Sequence, residues 1–213
     1  MSIQAIEKLL NQQNIKGQQG RISFDLAGIK FPVVSKDIIG GILQEWFEEW
    51  MKVNNISFTK PVNPQEPPDF YLSNNEHLEI KSFNHDANPA FDLANFDAYT
   101  RSLIAEPTRL DSEHLIFGYR ANLKTVEIVN FWVKKIWEMT GKSDKNCLNL
   151  QVKQGVPTNI RPKDWRGRGA TFSCRRDFVL ALDDALNKFY PNRYQNWFTQ
   201  VETEYKRKTG NFL

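Results

Sequence analysis

Apolar side chains recur at helical spacing over residues 37 to 51, and this pattern predicts a long helix with one buried side. The i, i+3, i+4, i+7 pattern is typical of an amphipathic helix, and Ser35 or Asp37 is suited to be its N-cap. Core packing is the expected role of its tryptophans. The apolar positions are Ile38, Ile39, Ile42, Leu43, Trp46, Phe47, Trp50 and Met51.

Short β-prone segments follow this helix, and their order predicts the fold class. Strands are expected at residues 55–60, 68–72 and 77–83, then a helix at 91–105 and a strand at 114–122. The order helix, three strands, helix, strand predicts an α/β fold with a mixed sheet. A short helix at 3–15 and a strand pair at 20–33 precede it.

The rest of the chain is predicted to add helices and one further strand. Val129, Trp132, Val133, Ile136 and Trp137 lie at helical spacing and predict a helix. Residues 148–155 alternate as a strand, and a helical tail runs from 175 to about 207 with a break near Pro191. Because no long linker interrupts the chain, we expect a single domain, 1–213, with its core at about 37–121. Residues 122–213 would form a recognition and C-terminal helical region.

The overall composition excludes several classes of protein. With 28 basic and 25 acidic residues, the formal charge of +3 is too small to predict a polyanion partner by itself. Mean hydropathy is −0.54, which argues against a membrane span, and the N-terminal sequence has no secretion signal pattern. A cytoplasmic protein is expected. Cys147 and Cys174 are interpreted as reduced, buried thiols rather than a disulfide or zinc site.

Three charged residues stand out in the predicted hairpin at residues 67–83. Alternation along a strand puts Glu79 and Lys81 on one face, and a suitable register would bring Asp69 across from them. Two carboxylates, the backbone carbonyl of Ile80 and several waters suit Mg²⁺. With Lys81 stabilising the attacking hydroxide, such a site would hydrolyse a phosphodiester bond. The alternative is an exposed strand face with an ordinary Glu–Lys pair and a turn-forming Asp.

Pro68, Asp69, Glu79 and Lys81, within this element order, resemble the PD-(D/E)XK nuclease superfamily. The resemblance implies that Asp69 and Glu79 are metal ligands and that Lys81 is the third catalytic residue. Many members carry a further acid on the first helix. Glu45 is the favoured candidate by the likeness of LQEWF to EcoRV-like enzymes, with Glu48 and Glu49 as alternatives.

Further segments resemble the NgoBV and NlaIV group of small type II restriction endonucleases. They are PDFYL, LEIKSF, PAFDLANFDAY, FWVKKIWEM and LQVKQGVPTNIRP. The resemblance covers nearly the whole chain. It implies a homodimer that cuts double-stranded DNA at a palindrome such as GGNNCC, with Mg²⁺ as cofactor.

Basic and amide side chains after residue 150 are predicted to contact DNA. Between residues 161 and 176, six Arg or Lys residues accompany one acid, which predicts a basic patch. Such groups bind phosphates and base edges, although a solvated surface is the alternative. The candidates after residue 150 are Gln151, Lys153, Gln154, Asn159, Arg161, Lys163, Arg166 and Arg168. Four further candidates lie just after the strand that carries Glu79 and Lys81: Asn84, His85, Asn88 and Asn95.

Two other functions remain open from the residues alone. A structure-specific repair or junction nuclease could use the same core. A DNA-binding module without catalysis could also carry Asp69, Glu79 and Lys81 as ordinary surface residues. A histidine metal site is disfavoured because His77, His85 and His114 lack the usual ligand spacing.

Overall fold

The computed structural model describes residues 1–33, 35–63, 66–73, 75–122, 125–167 and 171–213. The helices are α1 (Ile3–Gln12), α2 (Lys36–Val53), α3 (Phe96–Ala105), α4 (Ile136–Met139), α5 (Arg175–Phe189) and α6 (Trp197–Thr209), with a 3₁₀ helix at Pro107–Asp111. The strands are β1 (Gln19–Gly20), β2 (Ser23–Leu26), β3 (Ile29–Pro32), β4 (Phe58–Thr59), β5 (Phe70–Leu72), β6 (His77–Asn84), β7 (Ala94–Asn95), β8 (Glu113–Ala121), β9 (Val126–Lys135), β10 (Leu150–Lys153) and β11 (Val156–Ile160).

The predicted mixed α/β fold and its core order are confirmed. Helix α2 is followed by β4, β5 and β6, then by α3 and β8, with the two-residue β7 placed just before α3. Strands β6 and β8 are parallel, whereas β4–β5 and β5–β6 are antiparallel. The sheet is therefore mixed, as the alternation of strands and helices indicated.

The predicted helix around residues 129–137 is wrong. Val126–Lys135 forms strand β9, and only Ile136–Met139 is helical. The segment is rich in β-branched and aromatic residues, and its buried positions include Val126 and Ile128, which alternate. Strand β9 lies between β1 and β8 in a six-stranded sheet ordered β1-β9-β8-β6-β5-β4. Pairing with neighbours on both sides outweighs the helical spacing of its apolar residues.

The described chain divides into two compact units. One comprises Met1–Pro89 with Glu113–Lys134, and the other comprises Ala90–Ser112 with Lys135–Leu213. The expectation of a single domain stays a prediction. Across the described ranges, no helix is both long enough and apolar enough to span a membrane.

The first unit packs α2 against the apolar face of the six-stranded sheet. Phe47 of α2 is fully buried and contacts the ring of Phe70 on β5, with centroids 6.2 Å apart. Leu78 and Ile80 of β6 are buried in the same core, whereas Glu79 and Lys81 alternate to the other face. Gly40 of α2 leaves room for a close approach, because a Cβ there would lie 3.3 Å from Ser82 Oγ. The core thus fixes the position of β6 beside α2.

The second unit combines a three-stranded sheet, ordered β10-β11-β7, with α3, α5 and α6. Asn95 caps α3, since its side chain accepts a hydrogen bond from Ala98 N at 2.9 Å. Trp197 of α6 is buried and donates from Nε1 to the carbonyl oxygen of Thr100 at 3.0 Å. The helical tail breaks between Phe189 and Trp197, as Pro191 predicted. Both cysteines of this unit are free thiols, but the prediction that they are buried is wrong, since Cys147 is partly buried and Cys174 is exposed.

Candidate active site

The β5–β6 hairpin brings the three predicted charged residues into contact. Its register pairs Phe70 with Leu78, so Asp69, one residue earlier, lies across from Glu79. Asp69 N donates to Glu79 Oε2 at 3.2 Å, and Lys81 Nζ donates to Glu79 Oε1 at 2.8 Å. The convergence expected from the sequence spacing is therefore present.

The backbone of Ile80 completes this group. Its N–H donates to Asp69 Oδ2 at 2.7 Å, and Asp69 is the residue just before β5 begins. In an antiparallel pair the N–H and C=O of one residue point to the same neighbouring strand. The Ile80 carbonyl therefore faces the side on which Asp69 lies. Two carboxylates and one backbone carbonyl share this edge of β6.

The two carboxyl groups differ in their electrostatic environment. Burial, together with the nearby charge of Glu79, raises the pKa of Asp69 from 3.8 to about 6. Burial also acts to raise the pKa of Glu79, but the charge of Lys81, the charge of His114 and hydrogen bonds from Lys81 and the Asp69 N–H hold it below its ordinary value. The ionised form of Glu79 is thus stabilised, whereas the ionised form of the neighbouring Asp69 is destabilised. Perturbed pairs of this kind mark functional sites.

These residues fit a hard divalent cation. Oxygen atoms from Asp69, Glu79 and Ile80 are the ligand type that Mg²⁺ prefers, and Mg²⁺ usually binds one or two carboxylates and keeps several waters. The described residues contain no group of three or more His, Cys, Asp or Glu side chains arranged to hold a metal.

The residue of α2 that contacts the site is Gln44, which the sequence interpretation missed. Gln44 Nε2 donates to Asp69 Oδ1 at 2.7 Å, whereas the favoured Glu45 is exposed. Glu48 and Glu49 instead form ion pairs with Lys52. Gln44 lies one turn after Gly40, on the side of α2 that approaches β6. The four-residue spacing from Gly40 could have indicated Gln44, but only acidic residues of this helix were considered as candidates.

An aromatic stack follows the charged residues along β6. Phe83 lies on the same face as Glu79 and Lys81, and its ring stacks on Trp132 with centroids 5.7 Å apart. The ring of His85 is nearly parallel to that of Trp132 at 6.0 Å. Gly118 permits this arrangement, because a Cβ there would lie 2.9 Å from the Trp132 ring. His85 is thus held within a stack, and its predicted contact with DNA stays a prediction.

The remaining predicted DNA contacts from this part of the chain lie at the end of β6 and just after it. Asn84 Oδ1 accepts a hydrogen bond from Asp86 N at 3.1 Å, and Asn88 is exposed. The Asn84 side chain therefore stabilises the turn, and its predicted contact with DNA stays a prediction.

The predicted recognition segment forms the β10–β11 hairpin of the second unit. Gln154 and Gly155 both have positive φ, 51° and 79°, as a two-residue type I′ turn requires. Lys153 and Gln154 are exposed at this tip. They are available to a ligand such as DNA.

Other predicted contacts in the hairpin are bound within the unit. Arg161 pairs with Asp92 and donates from Nη2 to the Ala90 carbonyl at 2.8 Å. Asn159 Nδ2 donates to Asp92 Oδ2 at 3.0 Å and to Gln151 Oε1 at 3.1 Å. These side chains tie the hairpin to the segment before α3. Asn95, the α3 cap, pairs with Asn159 in the strand register.

The basic patch at 161–176 is largely paired with acids. Besides the Arg161 pair, Arg166 binds Asp164 at 2.8 Å, Arg175 lies 3.2 Å from Asp111, and Arg176 pairs with Glu202. Lys163 donates its backbone N–H to the Met139 carbonyl at 2.7 Å. Arg168 lies outside the described residues. Charge counted along the chain therefore overstates the local charge, because the compensating acids are mostly distant in sequence.

Comparison with known proteins matches this chain to restriction enzymes. The sequence profile of the NgoBV restriction endonuclease family matches residues 1–213. The chain is 37% identical over 215 residues to "Type II restriction enzyme NlaIV" of Neisseria lactamica, covering 96% of this chain and 88% of that protein. It is 34% identical over 156 residues to "Type II restriction enzyme NgoBV" of Neisseria gonorrhoeae, covering 71% and 89%.

The solved structure of "NlaIV restriction endonuclease" shares the fold. Its TM-score is 0.90 at 35% identity, with 100% of this chain and 91% of that chain covered. Sequence and fold thus agree over essentially the whole length. As the resemblance of segments such as LEIKSF and FWVKKIWEM predicted, the chain belongs to the NgoBV restriction endonuclease family.

Proposed function

We propose that this chain is a Mg²⁺-dependent type II restriction endonuclease that cuts both strands of duplex DNA at a palindrome, GGNNCC, as a homodimer. The observation that carries the proposal is the contact among Asp69, Glu79 and Lys81 at the end of the β5–β6 hairpin. Restriction enzymes act on DNA and generally use a divalent metal ion, and the curated relatives carry that enzyme name.

Asp69, Glu79 and the Ile80 carbonyl would hold the cation. A bound Mg²⁺ supplies a Lewis acid that neutralises charge on the phosphate in the transition state. The chain's own contribution is to keep two carboxyl groups close together, although burial and then the repulsion from Glu79 raise the pKa of Asp69. Hydrogen bonds from Ile80 N and Gln44 offset part of that repulsion.

Lys81 is the cationic group of the proposed site. Its ammonium lies 2.8 Å from Glu79 Oε1, and its side chain is 20% exposed, so it is accessible to a substrate phosphate. The partner carboxylate holds the ammonium in a fixed position. A charged donor fixed in this way stabilises negative charge that develops on phosphate oxygens without reorganising during the reaction.

DNA recognition is proposed for the tip of the β10–β11 hairpin. Lys153 and Gln154 are exposed there, and a cation beside an amide can contact a phosphate and a base edge. Arg161 and Asn159 hold the base of the same hairpin. A homodimer follows from the symmetry of the proposed target, since a palindrome presents two equivalent half-sites to two copies of one chain.

DNA cleavage tests the proposal directly. A linear duplex with one GGNNCC site is incubated with the protein and Mg²⁺, and a matched duplex with one altered outer base serves as control. Two fragments from the first duplex alone, with ends inside the site and no products in EDTA, are expected. Cleavage at other positions would refute the site, and no cleavage with Mg²⁺ would refute the activity. Sedimentation of the protein with and without DNA measures the oligomeric state.

A further inference from the structure

The side chain of Gln44 reaches the candidate site from a well-anchored helix. Its neighbour Leu43 and the following Phe47 are buried in the core, so this turn of α2 is fixed by packing. Gln44 itself is partly buried, and its Nε2 lies 2.7 Å from Asp69 Oδ1. Glu45 is exposed on the outer side of the same turn. The sheet-facing position of this turn is therefore occupied by an amide rather than an acid.

Two donors hold the Asp69 carboxylate, one on each oxygen. Ile80 N donates to Oδ2 and Gln44 Nε2 donates to Oδ1, each at 2.7 Å. Contacts to both oxygens fix the rotation of the carboxylate about its Cβ–Cγ bond. Each oxygen can accept more than one contact, so both remain able to bind a cation. The Ile80 contribution is backbone, which leaves Gln44 as a donor that substitution can remove.

The charge of the residue at this position also matters. Asp69 and Glu79 already repel each other, with Lys81 as the nearby cation. An amide donates a hydrogen bond to Asp69 without bringing a third negative charge to the pair. It therefore stabilises the ionised carboxylate that a metal ion requires.

We infer that Gln44 is a positioning residue, which orients Asp69 for binding a divalent cation. This inference rests on the proposed function, because it assigns Asp69 to the metal site. Gln44 acts through Asp69 and is not itself assigned to the metal or the DNA. Loss of its donor should weaken cation binding and slow cleavage while leaving DNA binding unchanged.

The test separates the hydrogen bond from the volume of the side chain. Gln44→Met keeps a similar length and removes the donor, Gln44→Ala removes both, and Gln4→Ala is the control at an exposed glutamine of α1. Mn²⁺ binding to the DNA-free protein is measured by electron paramagnetic resonance, and kcat and KM by cleavage. Both Gln44 variants should bind Mn²⁺ about 10–100-fold more weakly and lose kcat by a similar factor, with KM for DNA unchanged. Thermal unfolding confirms that each variant is folded.

Three results would overturn the inference. Wild-type Mn²⁺ affinity in Gln44→Met would remove the donor from the mechanism. A loss in Gln44→Ala that Gln44→Met restores would assign Gln44 to packing. A loss in Glu45→Ala with none in Gln44→Met would transfer the role to Glu45. If the wild-type protein binds Mn²⁺ but cuts no DNA, the proposed function fails, while the effect of Gln44 on Mn²⁺ binding is still decided by the same variants.

Discussion

The edge of β6 and the β10–β11 hairpin use charged residues in opposite ways. At the β6 edge, Asp69 and Glu79 lie together, and their repulsion contributes to the raised pKa of Asp69. In the hairpin, Arg161 binds Asp92 and a backbone carbonyl, so its charge is compensated. The difference shows that a run of charges is weak support for a binding surface, whereas a like-charged pair kept together by the fold is strong support for a site.

The largest effect that would test this contrast is the loss of cleavage in Lys81→Met. We expect kcat to fall about 10³-fold, because the ammonium is the donor proposed to stabilise charge on the phosphate. DNA affinity should change little, as a gel-shift assay in Ca²⁺ would show. Lys8→Met, at an exposed position of α1, is the control. Retained cleavage in Lys81→Met would remove Lys81 from the mechanism.

A second effect follows from the repulsion at the β6 edge. In metal-free protein the pKa of Asp69 is raised from 3.8 to about 6, so the ionised carboxylate destabilises the fold above that pH, and this cost disappears as the pH falls towards 4. Asp69→Asn should therefore raise the free energy of unfolding at pH 7.5 by on the order of 1–3 kcal/mol. Urea unfolding in EDTA across this pH range measures it.

The same experiment has a clear opposite outcome. The advantage of Asp69→Asn over the parent should shrink between about pH 6 and pH 4. An advantage that is absent at pH 7.5, or that grows as the pH falls, would mean that Asp69 is not destabilised by ionisation. The β6 edge would then resemble the hairpin in having compensated charges.

A smaller effect is expected at the exposed tip of the β10–β11 hairpin. Lys153→Ala should weaken DNA binding several-fold and lower the slope of log K against log salt by about 1, because one phosphate contact is lost. Stability should not change, since Lys153 is exposed. Fluorescence anisotropy at a series of salt concentrations measures both quantities. An unchanged slope would place Lys153 outside the interface.

The smallest expected effect concerns the base of that hairpin. Arg161→Met should lower the free energy of unfolding by about 1 kcal/mol or less, because the Asp92 pair is partly exposed. Arg101→Met, which removes a more exposed pair with Asp97, is the matched control. If the Arg161→Met variant instead unfolds with the parent's free energy but no longer distinguishes one base pair of the DNA site, Arg161 contacts DNA. Its pairing with Asp92 would then not separate the hairpin from the β6 edge as a binding region.

The local patterns were sufficient for most of the core. The spacing of Leu43, Phe47 and Trp50 predicted α2, and alternation placed Glu79 and Lys81 on one face of β6. The segment around Trp132 was mistaken for a helix because its apolar spacing fits both periods. Its pairing in the sheet depends on strands that are remote along the chain. Gln44 was missed because an amide has no distinctive signal until its partner is known.

The sequence by itself determined which segments resemble the NgoBV family, the order of the core elements and, through strand alternation, the prediction that Asp69, Glu79 and Lys81 come together. These are local properties, since side-chain spacing and strand alternation act over a few residues. Only the tertiary structure decided that Gln44 contacts Asp69, that Trp132 lies on a strand and that Arg161 is neutralised by Asp92. Each of those outcomes requires partners 25 or more residues apart or a neighbouring strand, and the folded chain alone brings them together.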